Sequence, residues 1–265
     1  MRLLFIGDVV GDPGIMAMKQ MLSQLLQSLK PDITIVNGEN AAPAGKGITR
    51  SVVQTFRQLG VDVITLGNHT WDHQEIFDFI EEEASLIRPA NFPDGTPGAG
   101  YALVERKTHT IGICNLMGRS FLPPLDCPFR KADELIETIR AQTPIILFDF
   151  HGEASAEKMA MGWYLDGRVS AVVGTHTHVQ TADERILPGG TAFITDVGMV
   201  GAYDGVIGID RESVLKKFLT QLPVKFEVQS GRLQFNAVLI DIDPDHGQAK
   251  HIQRIRIDDD NPWMD

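Results

Sequence analysis

Two histidines separated by a single residue follow an apolar run and could bind a metal ion. The run is Val169–Val173, and Gly174 separates it from Thr175, His176 and His178. The run predicts a buried strand, and in an extended backbone alternate side chains point to the same face, roughly 6–7 Å apart. That spacing suits two imidazoles that bind one ion or two neighbouring ions. Two strand-end histidines bonded to solvent and backbone are the alternative, and this stretch alone does not decide between them.

Four further apolar strands are predicted to end in a residue that could bind a metal. In α/β sheets, binding sites form beyond the carboxyl ends of the strands, so all five ends are expected to converge. A carboxylate after glycine, or an Asn-His pair, is often turn chemistry alone, but five such ends together are hard to explain as turns. The additional ends contribute Asp8, Glu39 with Asn40, Asn68 with His69, and His151.

The donor atoms of this set favour hard or borderline metal ions. Carboxylate, amide oxygen and imidazole suit Fe, Mn or Zn better than they suit a soft-metal site. Two carboxylates against two divalent or trivalent ions leave a net positive charge, which would attract a phosphate group. Metals about 3.5–4 Å apart usually share a bridging species, and Glu39, with two carboxylate oxygens, is the predicted bridging residue. We therefore predict two metal ions per chain, Fe or Mn in preference to Zn.

The elements that must position these residues alternate between strands and helices. This alternation predicts an α/β fold, and the lack of a repeat, a low-complexity tract or a linker predicts one domain over residues 1–265. Predicted helices include Asp12–Leu29, a segment from Thr49 or Ser51 to Leu59, His73–Ala84, Lys131–Ala141 and Ser213–Leu222. Predicted strands include Arg2–Ile6, Ile33–Val36, Val61–Leu66, Tyr101–Val104, Thr110–Cys114, Ile145–Phe150, Ala192–Thr195, Lys225–Val228, Leu233–Ile242 and His251–Ile257.

Composition restricts the class of protein and its partners. The chain has 265 residues, of which 43% are hydrophobic and 22% charged, as is typical of a soluble globular protein. The net charge of −11 argues against an extended nucleic-acid surface or binding to anionic lipid, although a metal site could still attract a small anionic substrate. No apolar run is long enough for a membrane span or a signal peptide. Cysteine is present only as Cys114 and Cys127, which predicts a cytoplasmic location.

The residues singled out above lie in longer blocks of sequence. These are Gly-Asp-Val-Val-Gly at 7–11, Asn-Gly-Glu-Asn at 37–40, Gly-Asn-His-Thr-Trp-Asp at 67–72 and Thr-Asp-Val-Gly-Met at 195–199. Together with Leu125–Phe129, they resemble the bacterial YmdB-like phosphodiesterases, a subgroup of the calcineurin-like metallophosphoesterases. The superfamily usually has Asp-x-His after the first strand and Gly-Asp after the second. Val10 and Glu39-Asn40 depart from that pattern but match the subgroup.

The resemblance implies a fold, an activity and a set of metal ligands. The implied fold is a four-layer α/β/β/α sandwich, and the implied activity is hydrolysis of phosphodiesters, with 2′,3′-cyclic nucleotides favoured. A hydroxide that bridges the metals would attack phosphorus, and His69 is the predicted general acid for the leaving ribose oxygen. The implied ligands are Asp8, Glu39, Asn40 and His178 for one ion, and Glu39, Asn68, His151 and His176 for the other.

Two rival functions remain at this stage. The first is a mononuclear hydrolase of amides or esters that uses His176 and His178 with one carboxylate. The second is a regulatory or RNA-associated metal-binding protein with little turnover. The complete set of seven candidate ligands and the presence of His69 argue against this second function.

Several other residues have two interpretations, and no substrate-binding residue is assigned. Lys46 could approach a substrate phosphate, but a solvated lysine is preferred. Asp149 and Glu153 flank His151 and could orient an imidazole, but ordinary strand-end or helix-cap carboxylates are preferred. The segment Phe121–Phe129 could serve as an interface in a homo-oligomer. Two glycine-containing loops, Ala41–Gly47 and Asp196–Gly208, could close over a substrate.

Overall fold

Two β-sheets lie face to face between two layers of helices in the computed structural model, which describes residues 1–106 and 108–263. The first strand shows why the sheets are inner layers. Its residues Leu4 and Ile6 pack in a core that includes helical residues, whereas Leu3 and Phe5 pack in a second core that contains both sheets. Alternate residues of a strand point to opposite faces, so a strand that is apolar at successive positions is buried on both sides.

The described residues contain fourteen strands, five α-helices and a 3₁₀ helix at Gln74–Asp78. The helices are α1 (Gly11–Leu29), α2 (Arg50–Gln58), α3 (Pro128–Arg140), α4 (Ser155–Leu165) and α5 (Arg211–Thr220). The first seven strands are β1 (Arg2–Ile6), β2 (Asp8–Val9), β3 (Ile33–Asn37), β4 (Val63–Thr65), β5 (Leu86–Ile87), β6 (Tyr101–Arg106) and β7 (His109–Met117). The others are β8 (Ile146–His151), β9 (Ala171–Thr175), β10 (Arg185–Ile186), β11 (Ala192–Ile194), β12 (Met199–Ala202), β13 (Leu233–Ile242) and β14 (Ala249–Ile257).

The strands form one sheet of eight and one of six. In the first sheet, β1 is parallel to β3 and antiparallel to β13, and β4 and β5 continue the parallel part. In the second sheet, β7, β8, β9 and β11 are parallel, and β6 and β10 pair antiparallel at its two edges. In each sheet the carboxyl ends of the parallel strands all lie on the same side. The predicted ligands were expected beyond these strand ends.

The helices cover the outer faces of the two sheets. Met18 of α1 and Phe56 of α2 are fully buried in the core against the first sheet. Ala132 of α3 and Met161 of α4 are buried in the core against the second sheet. The fold is therefore the four-layer α/β/β/α sandwich that the resemblance implied. Among the described residues, no helix has both the length and the apolar character that crossing a membrane requires.

Two predicted elements differ from the structure. The helix predicted over His73–Ala84 is wrong, because only the five residues Gln74–Asp78 are helical, in a 3₁₀ turn. Asp78 has acidic neighbours three and four positions further on, at Glu81 and Glu82, and like charges at that spacing destabilise an α-helix. The strand predicted at Lys225–Val228 is also wrong, because only an isolated bridge between Ile209 and Val228 forms there.

Candidate metal centre

The side chains at the five predicted strand ends form one cluster. Ligand atoms of Glu39, His151 and His176 all lie within 4.8 Å of one another. Asp8, Glu39 and His151 are 0% exposed. Their polar atoms are therefore shielded from bulk water and must be satisfied by protein groups or by a bound ligand. The structure thus brings together every ligand predicted from the sequence, which are Asp8, Glu39, Asn40, Asn68, His151, His176 and His178.

His151 Nε2 faces three other ligand-type atoms. Glu39 Oε1 lies 3.2 Å away, Asn68 Oδ1 2.9 Å away and His176 Nδ1 3.0 Å away. A single N–H cannot serve three acceptors well. Ligand atoms about 2.0–2.2 Å from one ion lie roughly 3–3.5 Å from each other, so this arrangement fits a metal ion.

Asp8, Asn40 and His178 surround the other side of Glu39. The amide nitrogen of Asn40 lies 3.0 Å from Glu39 Oε1 and 3.2 Å from His178 Nε2. Asp8 Oδ1 lies 4.0 Å from His178 Nε2, is buried, and has no hydrogen-bond partner among the described residues. A buried carboxylate oxygen without a donor is costly. A cation at this position would compensate its charge, so this half of the cluster also fits a metal ion.

Hydrogen bonds outside the cluster orient two of the histidine rings. The hydroxyl of Thr175 donates its proton to Asp149 Oδ1 at 2.7 Å. Because that proton is used, Thr175 Oγ1 accepts a hydrogen bond from Nδ1 of His151 at 2.9 Å. The carbonyl of Ile207 accepts from Nδ1 of His178 at 2.8 Å. In the neutral rings, each Nε2 therefore presents its lone pair to the cluster, as a metal ligand must.

The carboxylates that flank His151 both help to orient histidines. Asp149 is fully buried and binds Thr175, which in turn binds His151. Glu153 Oε2 lies 3.0 Å from Nε2 of His176. The preferred interpretation of both residues as ordinary carboxylates is therefore wrong, because sequence position does not show which imidazole lies within reach.

Burial and neighbouring charges shift the pKa values in the cluster. Burial alone would raise the pKa of Glu39, but the charge of His151 and its hydrogen bond lower it to about 2. Burial alone would lower the pKa of His151, but Glu39 raises it to about 9. Each of the two groups therefore favours the charged form of the other. A metal ion that bound here would compete with a proton for His151.

The two histidines that follow β9 are not extended, contrary to the sequence prediction. The strand ends at Thr175, and His176 and His178 have positive φ angles of 104° and 66°. Asp196 holds the turn, because its Oδ2 accepts from the backbone N–H of Thr177 at 2.9 Å and from its hydroxyl at 2.7 Å. The turn places His176 beside His151 and His178 beside Asn40.

His69 lies at the edge of the cluster and not within it. Its backbone N–H donates to Glu39 Oε2 at 2.9 Å, whereas Nδ1 of its ring lies 2.8 Å from Asp72 Oδ2. The side chain is 24% exposed and lines a cavity of about 280 Å³ together with His176 and His178. The ring of His69 therefore borders an open cavity beside the cluster.

Gly67 has no room for a side chain, and its replacement tests the cluster. A Cβ at Gly67 would lie 2.4 Å from Glu39 Oε2 and 2.4 Å from Nε2 of His151. We expect Gly67→Ala to displace one of these groups, to lower the bound metal measured by elemental analysis, and to destabilise the fold by about 1–3 kcal/mol. Gly152→Ala is the matched control, since its Cβ would meet nothing closer than 3.6 Å. Equal metal content in both variants would contradict the placement of Glu39 and His151.

Comparisons with known proteins find relatives in both sequence and structure. A family model described as "YmdB-like protein" matches residues 4–255. A relative from Bacillus subtilis (strain 168), described as a 2′,3′-cyclic-nucleotide 2′-phosphodiesterase, is 56% identical over 265 residues, which cover 100% of both chains. A crystal structure of a novel phosphatase from Mycoplasma pneumoniae has a TM-score of 0.92 at 35% identity, over 97% of this chain and 93% of that one. The calcineurin-like phosphoesterase YfkN from Bacillus subtilis shares the fold, with a TM-score of 0.61 at 12% identity over 97% and 90% of the two chains.

Proposed function

Because the chain belongs to the YmdB-like protein family, we propose that it is a phosphodiesterase with two metal ions and that it hydrolyses 2′,3′-cyclic nucleotides. One observation carries the proposal. Ligand atoms converge on both sides of the buried Glu39 carboxylate, and a cavity lined by His69 lies beside them. A mononuclear amide or ester hydrolase would need only one of the two sets of ligand atoms that flank Glu39. The extent of the cluster therefore favours phosphodiester chemistry with two ions.

Glu39 is the proposed bridging ligand. Its Oε1 is within 3.2 Å of both Nε2 of His151 and the amide of Asn40, which belong to the two halves of the cluster. The donor set of carboxylate, amide and imidazole suits Fe or Mn, with Zn as the alternative. One ion would be held by Asp8, Glu39, Asn40 and His178, and the other by Glu39, Asn68, His151 and His176.

The chain's own residues supply the proton for the leaving group and hold the ring that donates it in one orientation. When bound, two metal ions would supply Lewis acidity and lower the pKa of a bound water to about 7, which makes it a nucleophile. In this proposal, Nε2 of His69 donates a proton to the leaving ribose oxygen. Asp72 bonds the other ring nitrogen, so the ring keeps one orientation during the transfer.

Removal of the metal tests this function directly. Elemental analysis of the purified protein is expected to give about two ions per chain. Prolonged treatment with a chelator should abolish turnover of 2′,3′-cyclic AMP and of bis-p-nitrophenyl phosphate, and added Mn²⁺ or Fe²⁺ should restore it. The chain supplies every proposed ligand, so no other component is needed for recovery.

The rival functions predict different results in the same experiment. Metal content near one ion per chain, with no turnover of either phosphodiester, would favour the mononuclear amide or ester hydrolase. Tight nucleotide binding without hydrolysis at full metal content would favour the regulatory protein. Either result would contradict the proposed function.

We further propose that the substrate is a small cytoplasmic molecule and that the chain can form a homo-oligomer. The net charge of −11 disfavours an extended nucleic-acid surface, and both cysteines are unpaired, as suits a reducing compartment. Phe121 has a relative exposure of 89%, which supports the segment Phe121–Phe129 as an interface in a homo-oligomer. Measurement of mass in solution for the wild type and for Phe121→Ser would test that interface.

A further inference from the structure

The cavity beside the metal cluster has one polar side and one apolar side. On the polar side lie His69 and the two histidines that follow β9. On the apolar side lie Val10, Ile207, Ile209 and Phe226. The side chains of Ile207 and Phe226 are each 50% exposed. Large apolar groups left open to solvent next to a polar centre are typical of a ligand-binding surface.

We propose that Phe226 and Ile207 form a nucleobase subsite, in which the ring of Phe226 stacks on the base of the bound nucleotide. The inference rests on the proposed function, because the scissile phosphate must lie at the metal cluster. Every nucleobase has a planar apolar face, and stacking on an aromatic ring accepts all of them without hydrogen-bond readout. The proposed subsite therefore favours nucleotides of any base over phosphodiesters that lack a base.

The backbone ties this apolar wall to the metal cluster. Ile207 lies in a tight turn between Val206 and Ile209 with a φ of 48°, which is unusual for a β-branched residue. Its carbonyl accepts the hydrogen bond from His178, so the residue that forms the wall also orients a proposed ligand. Strained backbone of this kind is retained where the surrounding structure and a functional site require it.

A second set of hydrogen bonds holds the Phe226 segment against the same turn. The N–H of Asp210 donates to the carbonyl of Glu227 at 2.9 Å, and the N–H of Gln229 donates to the carbonyl of Gly208 at 2.9 Å. Phe226 therefore projects from a segment that is fixed relative to His178. It also lines a second cavity, of about 480 Å³, so Phe226 borders two open spaces.

Lys46 completes the subsite on the side of the phosphate. It is the one lysine or arginine among the described residues that line the cavity. Its side chain is exposed, so its ammonium group is available to a phosphoryl oxygen or to the sugar edge while Phe226 binds the base. The preference for a merely solvated lysine came from its glycine-containing loop alone, whereas the structure puts that loop at the cavity.

The main alternative interpretation of Phe226 is that its ring belongs to an apolar surface that contacts another chain. Helix α5 and the second residue after its end expose a separate apolar stripe, formed by Leu215, Phe218, Leu219 and Leu222 with relative exposures of 54–82%. If Phe226 belonged to that stripe, its exposure would reflect contact with another chain. Phe218 does not line the metal-site cavity, so it provides a matched control with the same side chain.

The test compares substrates with and without a base. For Phe226→Ala, we expect KM for 2′,3′-cyclic AMP and Kd for 3′-AMP, measured by calorimetry, to rise by about tenfold. The value of kcat and the KM for glycerol 1,2-cyclic phosphate, which has no base, should stay within about twofold. Phe226→Trp should retain nucleotide binding, since it keeps a stacking surface, and Phe218→Ala should behave as the wild type.

Other outcomes would overturn either the subsite or the proposed function, and the two can be told apart. An equal rise in KM for the base-free substrate would mean that Phe226 only shapes the metal site. An equal effect of Phe218→Ala, with a change in mass in solution, would assign both rings to an interface between chains. If the wild type hydrolyses neither phosphodiester, the proposed function fails, and the calorimetric comparison still decides the subsite. In that case, equal or absent 3′-AMP binding in the wild type and Phe226→Ala would reject it.

Discussion

Replacement of His69 by alanine is expected to lower kcat for 2′,3′-cyclic AMP by about 10²- to 10⁴-fold and to leave the metal content unchanged. The ring of His69 contacts Asp72, and only its backbone N–H bonds Glu39, a contact that alanine keeps. The substitution therefore removes the proton donor without removing a ligand. Steady-state kinetics and elemental analysis of the same preparation would measure both quantities.

The leaving group separates proton donation from other roles of His69. A p-nitrophenolate leaves without help, so the loss of kcat for bis-p-nitrophenyl phosphate should be much smaller than for the cyclic nucleotide, whose leaving group is a ribose oxygen. His73→Ala serves as the control, because its ring lies near Glu75 and it does not line the cavity. Loss of metal in His69→Ala, or equal losses with both substrates, would rule out the role of general acid.

The sequence predicts the position of the centre because the relevant pattern is local. An apolar run followed within three residues by a carboxylate or imidazole identifies the carboxyl end of a buried strand, as at Asp8, Glu39 and His151. The parallel pairing of neighbouring strands then brings these ends to one edge without further information. Seven candidate ligands and His69 could be named in this way, and the structure places them together.

Residues that support the ligands carry no such local signal. Thr175 contacts His151 across 24 positions, and Lys158 contacts Asp196 across 38 positions. These pairs depend on how helices and strands pack, and a buried Lys158 in the middle of a helix looks like any other lysine in a sequence. The extended geometry predicted for His176 and His178 was wrong for the same reason, because Asp196 imposes the turn from another segment.

Replacement of Asp196 by alanine is expected to cost about 3–5 kcal/mol of folding stability, which lowers Tm by roughly 6–20 °C in a chain of this size. Asp196 is fully buried and accepts hydrogen bonds from Lys158, from two groups of Thr177 and from the N–H of Gly198. Lys158 is 1% exposed, so loss of the carboxylate leaves its ammonium group buried without compensation. Urea unfolding of the metal-free proteins would measure the loss.

Lys158→Met should be milder, and the comparison shows what Asp196 does. This variant removes the cation but leaves the carboxylate with its donors from Thr177 and Gly198, so the turn between His176 and His178 is kept. We therefore expect metal affinity of the folded protein to fall more in Asp196→Ala than in Lys158→Met. Equal metal affinity in the two variants would mean that Asp196 serves only to pair Lys158. A selective loss in Asp196→Ala would mean that the carboxylate sets the positions of both histidines, which the buried ion pair alone does not do.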